Sequence, residues 1–251
     1  GWEYARTDVE RAVFDVERTL FSDDWSGYAA KLDTAMAGEE CVPGNWIYQV
    51  GAHVGWADQA LKRVRANLRC DPLAGFIHMA LAQTLVWSGD GEAAVDAFNQ
   101  AAERGVTVPF RRSLRVVAML AAGRYSSYSE ATPVPDGALY SFDERLLVEA
   151  SAGDPDKARA MATEYQASVE AEDWSRLIAA AVTGNREAAN AWAARIDARP
   201  GGAFMLHIGT EMCFCGAPFD LDAAPNFSAR LAESGFDWPP PMPIDYPLKT
   251  W

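Results

Sequence analysis

The densest chemistry in this chain lies in nine residues, "HIGTEMCFC", from His207 to Cys215. They bring a histidine, a glutamate and two cysteines together in a sequence with only 3 His and 4 Cys. On a helix His207 and Glu211, four residues apart, share a face. Imidazole, carboxylate and thiolate are all zinc ligands. A Cys-x-Cys pair can also cycle between dithiol and disulfide, and buried thiols or a structural bridge are a third reading. Zinc sites usually want four ligands, with cysteine pairs about two to four residues apart. Here the pair is tighter and has no second pair nearby. His207, Cys213, Cys215 and Glu211 therefore close a metal site only if the helix end folds back. The expectation is no metal and no other cofactor.

Other chemistry is sparse. The sequence has no glycine-rich phosphate loop, nucleophile-elbow serine, paired-histidine zinc helix or calcium loop. His53, in "GAHVGW", and His78, in "FIHMALA", have small and apolar neighbours, which suits packed neutral imidazoles better than catalytic bases. Acidic stretches such as "FSDDWSG", and Asp220 with Asp222, read first as helix N-caps. The chain is thus expected to be non-catalytic.

Composition narrows the partner class. Among 251 residues 49% are apolar, and 22 basic side chains face 35 acidic ones, for a net charge of −13. Nucleic-acid binding is driven by clustered Lys and Arg releasing counterions, so no nucleic-acid partner is expected. Charge is uneven, with nine basic against five acidic residues from Lys62 to Arg124. No apolar run approaches the ~20 residues of a membrane helix, so no membrane insertion is expected and the segment reads as soluble. Four cysteines permit bridges without requiring them, and the cytoplasm is preferred to the periplasm. Gly1 points to a processed protein or a piece of a longer one.

The elements that position these residues show a repeat. "WSGDGEAA", "LAAGRYSS", "SAGDPDKA" and "VTGNREAA" read alike around Gly89, Gly123, Gly153 and Gly184, with an earlier copy at Gly55; the intervals are 34, 34, 30 and 31 residues. A period of this size marks one supersecondary unit per repeat. In the clearest copy Leu81, Ala82 and Leu85 share a helical face, Gly89 with Asp90 breaks the helix, and Ala94, Phe98 and Ala101 mark the inner face of the next. Ala60, Ala94, Ala158 and Ala189 stand five residues after Gly55, Gly89, Gly153 and Gly184. A small residue there lets two helices approach across a short turn.

The Leu81–Ala82, Leu85, Gly89–Asp90, Ala94, Phe98, Ala101 pattern resembles the tetratricopeptide repeat. The likeness is best over 73–105 and extends to 43–72, where Asp71–Pro72 follows Cys70. It weakens after Gly123, where Tyr128 replaces the small residue, and His78 stands where the family usually has a large aromatic. The resemblance implies an all-α, tetratricopeptide-like solenoid of antiparallel hairpins with a Pro-rich extended C-terminal tail. An N-terminal helical cap is expected over 1–40, repeats over 41–212 with a Pro- and Ser-rich interruption near 125–137, and a capping helix and Pro/Trp-rich tail over 213–251. Helices are predicted near 7–20, 25–37, 44–54, 56–69, 73–87, 91–104, 110–122, 138–152, 155–168, 171–183, 186–197 and 204–212. The passage with Cys213, Cys215–Gly216, Phe219, Pro225–Asn226–Phe227, Trp238–Pro239–Pro240–Pro241 and Pro247 is similar to the ends of bacterial proteins that join helical repeats to a nucleotide cyclase or winged-helix regulatory domain.

In such arrays the first helix of each hairpin lines the concave face. By that resemblance Phe76, Met79, Gln83, Phe110, Arg111, Tyr140 and Trp174 are the candidate binding residues, suited to an extended or helical peptide. Arg111, with Arg112 and Arg115, would anchor an acidic group. The expected function is protein or peptide recognition with a regulatory or scaffold role. A small-molecule-sensing domain of a larger bacterial signalling protein, or an uncharacterised all-α enzyme, is the alternative.

Overall fold

At Gly89, Gly153 and Gly184 the next residue is an Asp or Asn that caps the following helix, whereas Trp56 and Arg124 follow Gly55 and Gly123. In the computed structural model, which describes residues 7–37, 41, 50–106, 111–124, 144–168 and 171–251, Gly89 and Gly184 adopt φ of 81° and 82°. At the first turn the Gly89 N–H donates to Val86 O at 3.0 Å and the Asp90 N–H to Leu85 O at 2.9 Å. At the second, Gly184 donates to Ala181 O at 3.1 Å and Asn185 to Ala180 O at 2.9 Å. These bonds satisfy the carbonyls that a helix end leaves unpaired. The residue after the glycine then starts the next helix: Asp90 accepts the Ala93 N–H and Asn185 the Ala188 N–H, each at 3.1 Å. Gly153 departs from the pattern. Its φ is not positive, and the Glu149 carboxylate instead accepts the Asp154 N–H at 2.9 Å.

The described residues form twelve α-helices and no strand. They are α1 (Asp8–Leu20), α2 (Tyr28–Ala37), α3 (Ala57–Cys70), α4 (Gly75–Trp87), α5 (Gly91–Glu103), α6 (Arg111–Ala121), α7 (Glu144–Ala152), α8 (Pro155–Ala167), α9 (Asp173–Val182), α10 (Arg186–Asp197), α11 (Gly202–Cys213) and α12 (Pro225–Ser234). The all-α class is therefore as expected, and most predicted helices lie within a few residues of the observed ones. The break expected at Gly55 is a kink with φ of 95° inside a π-helical turn over Ala52–Trp56, and most of the helix predicted near 44–54 lies outside the described residues. Sequence neighbours pack, notably α1 with α2, α4 with α5 and α9 with α10; α4 also meets α6, α7 meets α9 and α9 meets α11.

The small residues do what their spacing requires. Ala60, Ala94, Ala158 and Ala189 all have no exposed surface, so the helix beside each comes close enough to exclude water. A larger side chain there would push two backbones apart.

Two further relationships fix the position of α11. Its N-terminus abuts α10, where a side chain on Gly202 would collide with the Ile196 carbonyl. Beyond its C-terminus the chain folds back: the Ile244 N–H donates to Phe214 O at 3.3 Å, and Ser151 Oγ to Asp245 O at 2.8 Å. The N-terminal and C-terminal segments also touch each other. The Gly27 N–H donates to Glu233 O at 3.2 Å, and the rings of Phe21 and Phe204 lie 4.8 Å apart.

Candidate functional site

The shared face of His207 and Glu211 is directed inward. Both side chains are buried, at 1% and 3% exposure. The His207 ring is 4.6 Å from that of His53, 5.3 Å from Trp25 and 6.4 Å from Tyr28. Trp87 lies 5.8 Å from His53 and 4.9 Å from Phe214. Burial alone lowers His207 to a pKa of about 3 and raises Glu211 to about 8, because a charge there would lose its hydration. Burial, with Glu211 adding to it, holds the Tyr28 phenol well above its ordinary range. At neutral pH this centre is an uncharged acid beside an uncharged imidazole. Tyr28 Oη, His207 Nε2 and Trp87 Nε1 have no hydrogen-bond partner.

The sulfurs of the opening motif are bonded to each other, with Cα atoms 5.1 Å apart. Cys213, Phe214 and Cys215 are all fully buried. Phe214 sits at φ 50°, a left-handed conformation that a bulky residue rarely takes and that its two bonded neighbours help to hold. Cys41 and Cys70 form a second bridge, with Cα atoms 6.0 Å apart. Thiolate ligands are thus unavailable at Cys213 and Cys215, and among the described residues no group of three His, Cys, Asp or Glu side chains is placed to hold a metal ion. His78 is a packed histidine, with Nε2 donating to Pro72 O at 2.9 Å.

The groove residues divide. Phe76 is exposed at 47% and neighbours Leu73, exposed at 75%. Met79 and Gln83 instead point into the interior, at 4% and 5%. The first helix of this hairpin is apolar almost all round, so the register derived for a concave face delivers two of its three residues to the core. Phe110 and Tyr140 lie outside the described residues; Arg111 opens α6, its side chain outside the description.

Trp174 lies on the rim of a cavity of about 520 Å³ between the start of α9, the end of α10 and the start of α11. Glu172, Asp173, Arg176, Arg195, Ile196, Arg199, Pro200 and Met205 are among its walls. Its organising group is Asp173, whose side chain is only 11% exposed. Arg176 reaches it at 3.3 Å, Arg195 at 3.1 Å, and Arg199 also pairs with it. Arg176 and Arg195 both lie over one indole, 4.8 Å and 5.3 Å from the centre of the Trp192 ring. Such cation–π contacts hold guanidinium groups in place.

No protein-family model matches the chain, and neither does a curated protein or a solved structure.

The chemistry of the two regions differs. The centre around His207 is enclosed and neutral. The cavity beside Trp174 is open and carries three cations on an otherwise acidic molecule, so it is the better placed to meet a ligand. Sequence reading reached Trp174 but missed Asp173, Arg176, Arg195 and Arg199. A signal was present: "WAARIDAR" sets Arg195 and Arg199 four apart, on one helical face, beginning three residues after Trp192.

Proposed function

We propose that this chain is a protein- or peptide-binding module of tetratricopeptide-like helical hairpins, non-catalytic, with a regulatory or scaffold role. Stacked hairpins bury their faces only against neighbours and leave long surfaces for recognition. One observation carries the reading: the small residues at a fixed offset from the turn glycines are all fully buried, while large apolar groups such as Phe76 and Leu73 remain at the surface. The residues after Phe214 fold against α7 and α11 and serve as the terminal cap of the array. The test is selection of displayed peptides on the whole chain, followed by Phe76→Ala and Trp174→Ala. Enriched peptides that lose affinity to either variant, with helicity unchanged, support recognition. Failure to enrich any peptide counts against it.

A second reading has its own observation. Partnerless buried atoms on Tyr28, His207 and Trp87 favour a small polar molecule held at the centre, as in a sensing domain. Dialysed and denatured protein releasing a stoichiometric small molecule would support that reading; a clean mass spectrum would remove it.

A further inference from the structure

We infer that the cavity beside Trp174 receives the C-terminal carboxylate of a peptide whose last side chain is apolar. This rests on the peptide-binding reading above and adds the chemical class of the ligand.

Charge comes first. Arg176, Arg195 and Arg199 converge on Asp173, and Glu172 is the other carboxylate of the walls. Three cations against two anions leave one positive charge unbalanced, on a chain of net charge −13. One carboxylate neutralises the site, whereas a phosphate dianion overshoots it. Arg195 and Arg199 keep 57% and 51% of their side-chain surface exposed while paired, so each has donors facing solvent. A guanidinium has five N–H groups in a planar fork suited to carboxylates.

The geometry is already arranged for such a group. Asp173 itself shows that a carboxylate fits among these three arginines. Trp192 and Asp173 together hold Arg195 in position, which reduces the ordering cost of binding. Arg176, at 13% exposure, is fixed further by donating to Ser168 O.

The apolar wall decides the kind of carboxylate. Ile196 follows Arg195 directly, and Pro200 follows Arg199; Trp174 and Met205 complete the lining, with Met205 exposed at 39%. Anionic and apolar groups must therefore be only a few ångströms apart on the ligand. A terminal residue meets that requirement, because its carboxylate and side chain leave the same Cα. A volume of about 520 Å³ is within the ~300–1,000 Å³ range of sites that enclose small ligands.

The probe is a set of N-acetylated tri-alanine peptides ending in Leu, Ile, Val, Met or Phe, each as free acid and as C-terminal amide, titrated by calorimetry or by shifts in NMR spectra. At least one free acid is expected to bind, and its amide to bind about tenfold or more weakly, as loss of a charge-assisted contact predicts. Arg195→Gln combined with Arg199→Gln should abolish the difference between acid and amide. Asp173→Asn should tighten the free acid severalfold by releasing the arginines, an outcome that a purely structural ion pair would not produce. Circular dichroism and the thermal midpoint show whether each variant is folded; were Asp173→Asn unfolded, the arginine pair would carry the test. Equal affinity for acid and amide overturns the proposal, as does no binding by any free acid at millimolar concentration. Tighter binding of inorganic phosphate than of the peptides overturns it too. If these probes fail while display selection yields peptides sensitive to Phe76→Ala, the carboxylate site falls and the broader reading stands.

Discussion

The carboxylate of Asp197, at the end of α10, caps a helix thirty residues away. It accepts the Phe227 N–H at 2.8 Å and the Asn226 N–H at 2.9 Å, in the first turn of α12. Ala224, which stands at the N-cap position, has no side chain for the task. Asp197 itself is 3% exposed. One side chain thereby joins a hairpin to the closing helix.

Asp197→Ala is expected to destabilise the protein by about 1–3 kcal/mol, since it leaves the buried Phe227 N–H unpaired and removes the cap on Asn226. Asp197→Asn, which keeps one acceptor, should cost less. Denaturant midpoints check both, and equal costs would refute the capping account.

Stability should be greatest on a plateau set by the buried centre. His207 has a folded pKa of about 3 against 6.5 ordinarily; its lowered value contributes stability present above 6.5 and lost as pH falls toward 3. Glu211 is raised from 4.5 to about 8; its contribution is complete below 4.5 and lost as pH rises through 8. From 4.5 to 6.5 the two slopes cancel. Above 6.5 only Glu211 is changing, and stability should fall by up to ~1.4 kcal/mol per pH unit until about 8. Glu211→Gln should remove that alkaline decline. Denaturation across pH would show it, and an unchanged decline in the variant would exclude Glu211 as the cause.

Gly184 and Gly123 allow a controlled comparison. Both have positive φ, 82° and 69°, and Ala at either position is expected to cost about 1–2 kcal/mol. Only at Gly184 does the added carbon meet another segment, the carbonyl of Leu248. Gly184→Ala should therefore cost clearly more than Gly123→Ala and loosen residues 244–251. Hydrogen exchange at Tyr246 and Lys249 reads the second effect; equal protection in both variants would argue against the contact.

Phe76 and Met79 should behave oppositely. Phe76→Ala, at an exposed site, is expected to change stability by no more than ~0.5 kcal/mol. Met79→Ala, in the core, should cost ~2–5 kcal/mol. Thermal and chemical unfolding separate these outcomes, and a large loss at Phe76 would show that it packs against something.

What the sequence alone determined is local. A glycine that must take a left-handed conformation, a capping Asp or Asn after it, and an alanine five residues on are properties of one turn and its two helices. Gly89–Asp90–Ala94 and Gly184–Asn185–Ala189 could be read without knowing where the chain goes next. The shared face of His207 and Glu211 was legible for the same reason, since a helix fixes residues four apart. Tertiary structure alone decided what that face meets. The enclosure around His207 comes from Trp25, Tyr28 and His53, and periodicity cannot say which distant elements cover a helix. It likewise decided that Met79 and Gln83 turn inward, that Asp197 caps α12, and that three arginines share Asp173. Apart from the local Asp173–Arg176 pair, three residues apart on one helix, these results come from helices meeting across long sequence separations, where packing of whole surfaces, not the preference of any residue, selects the contact.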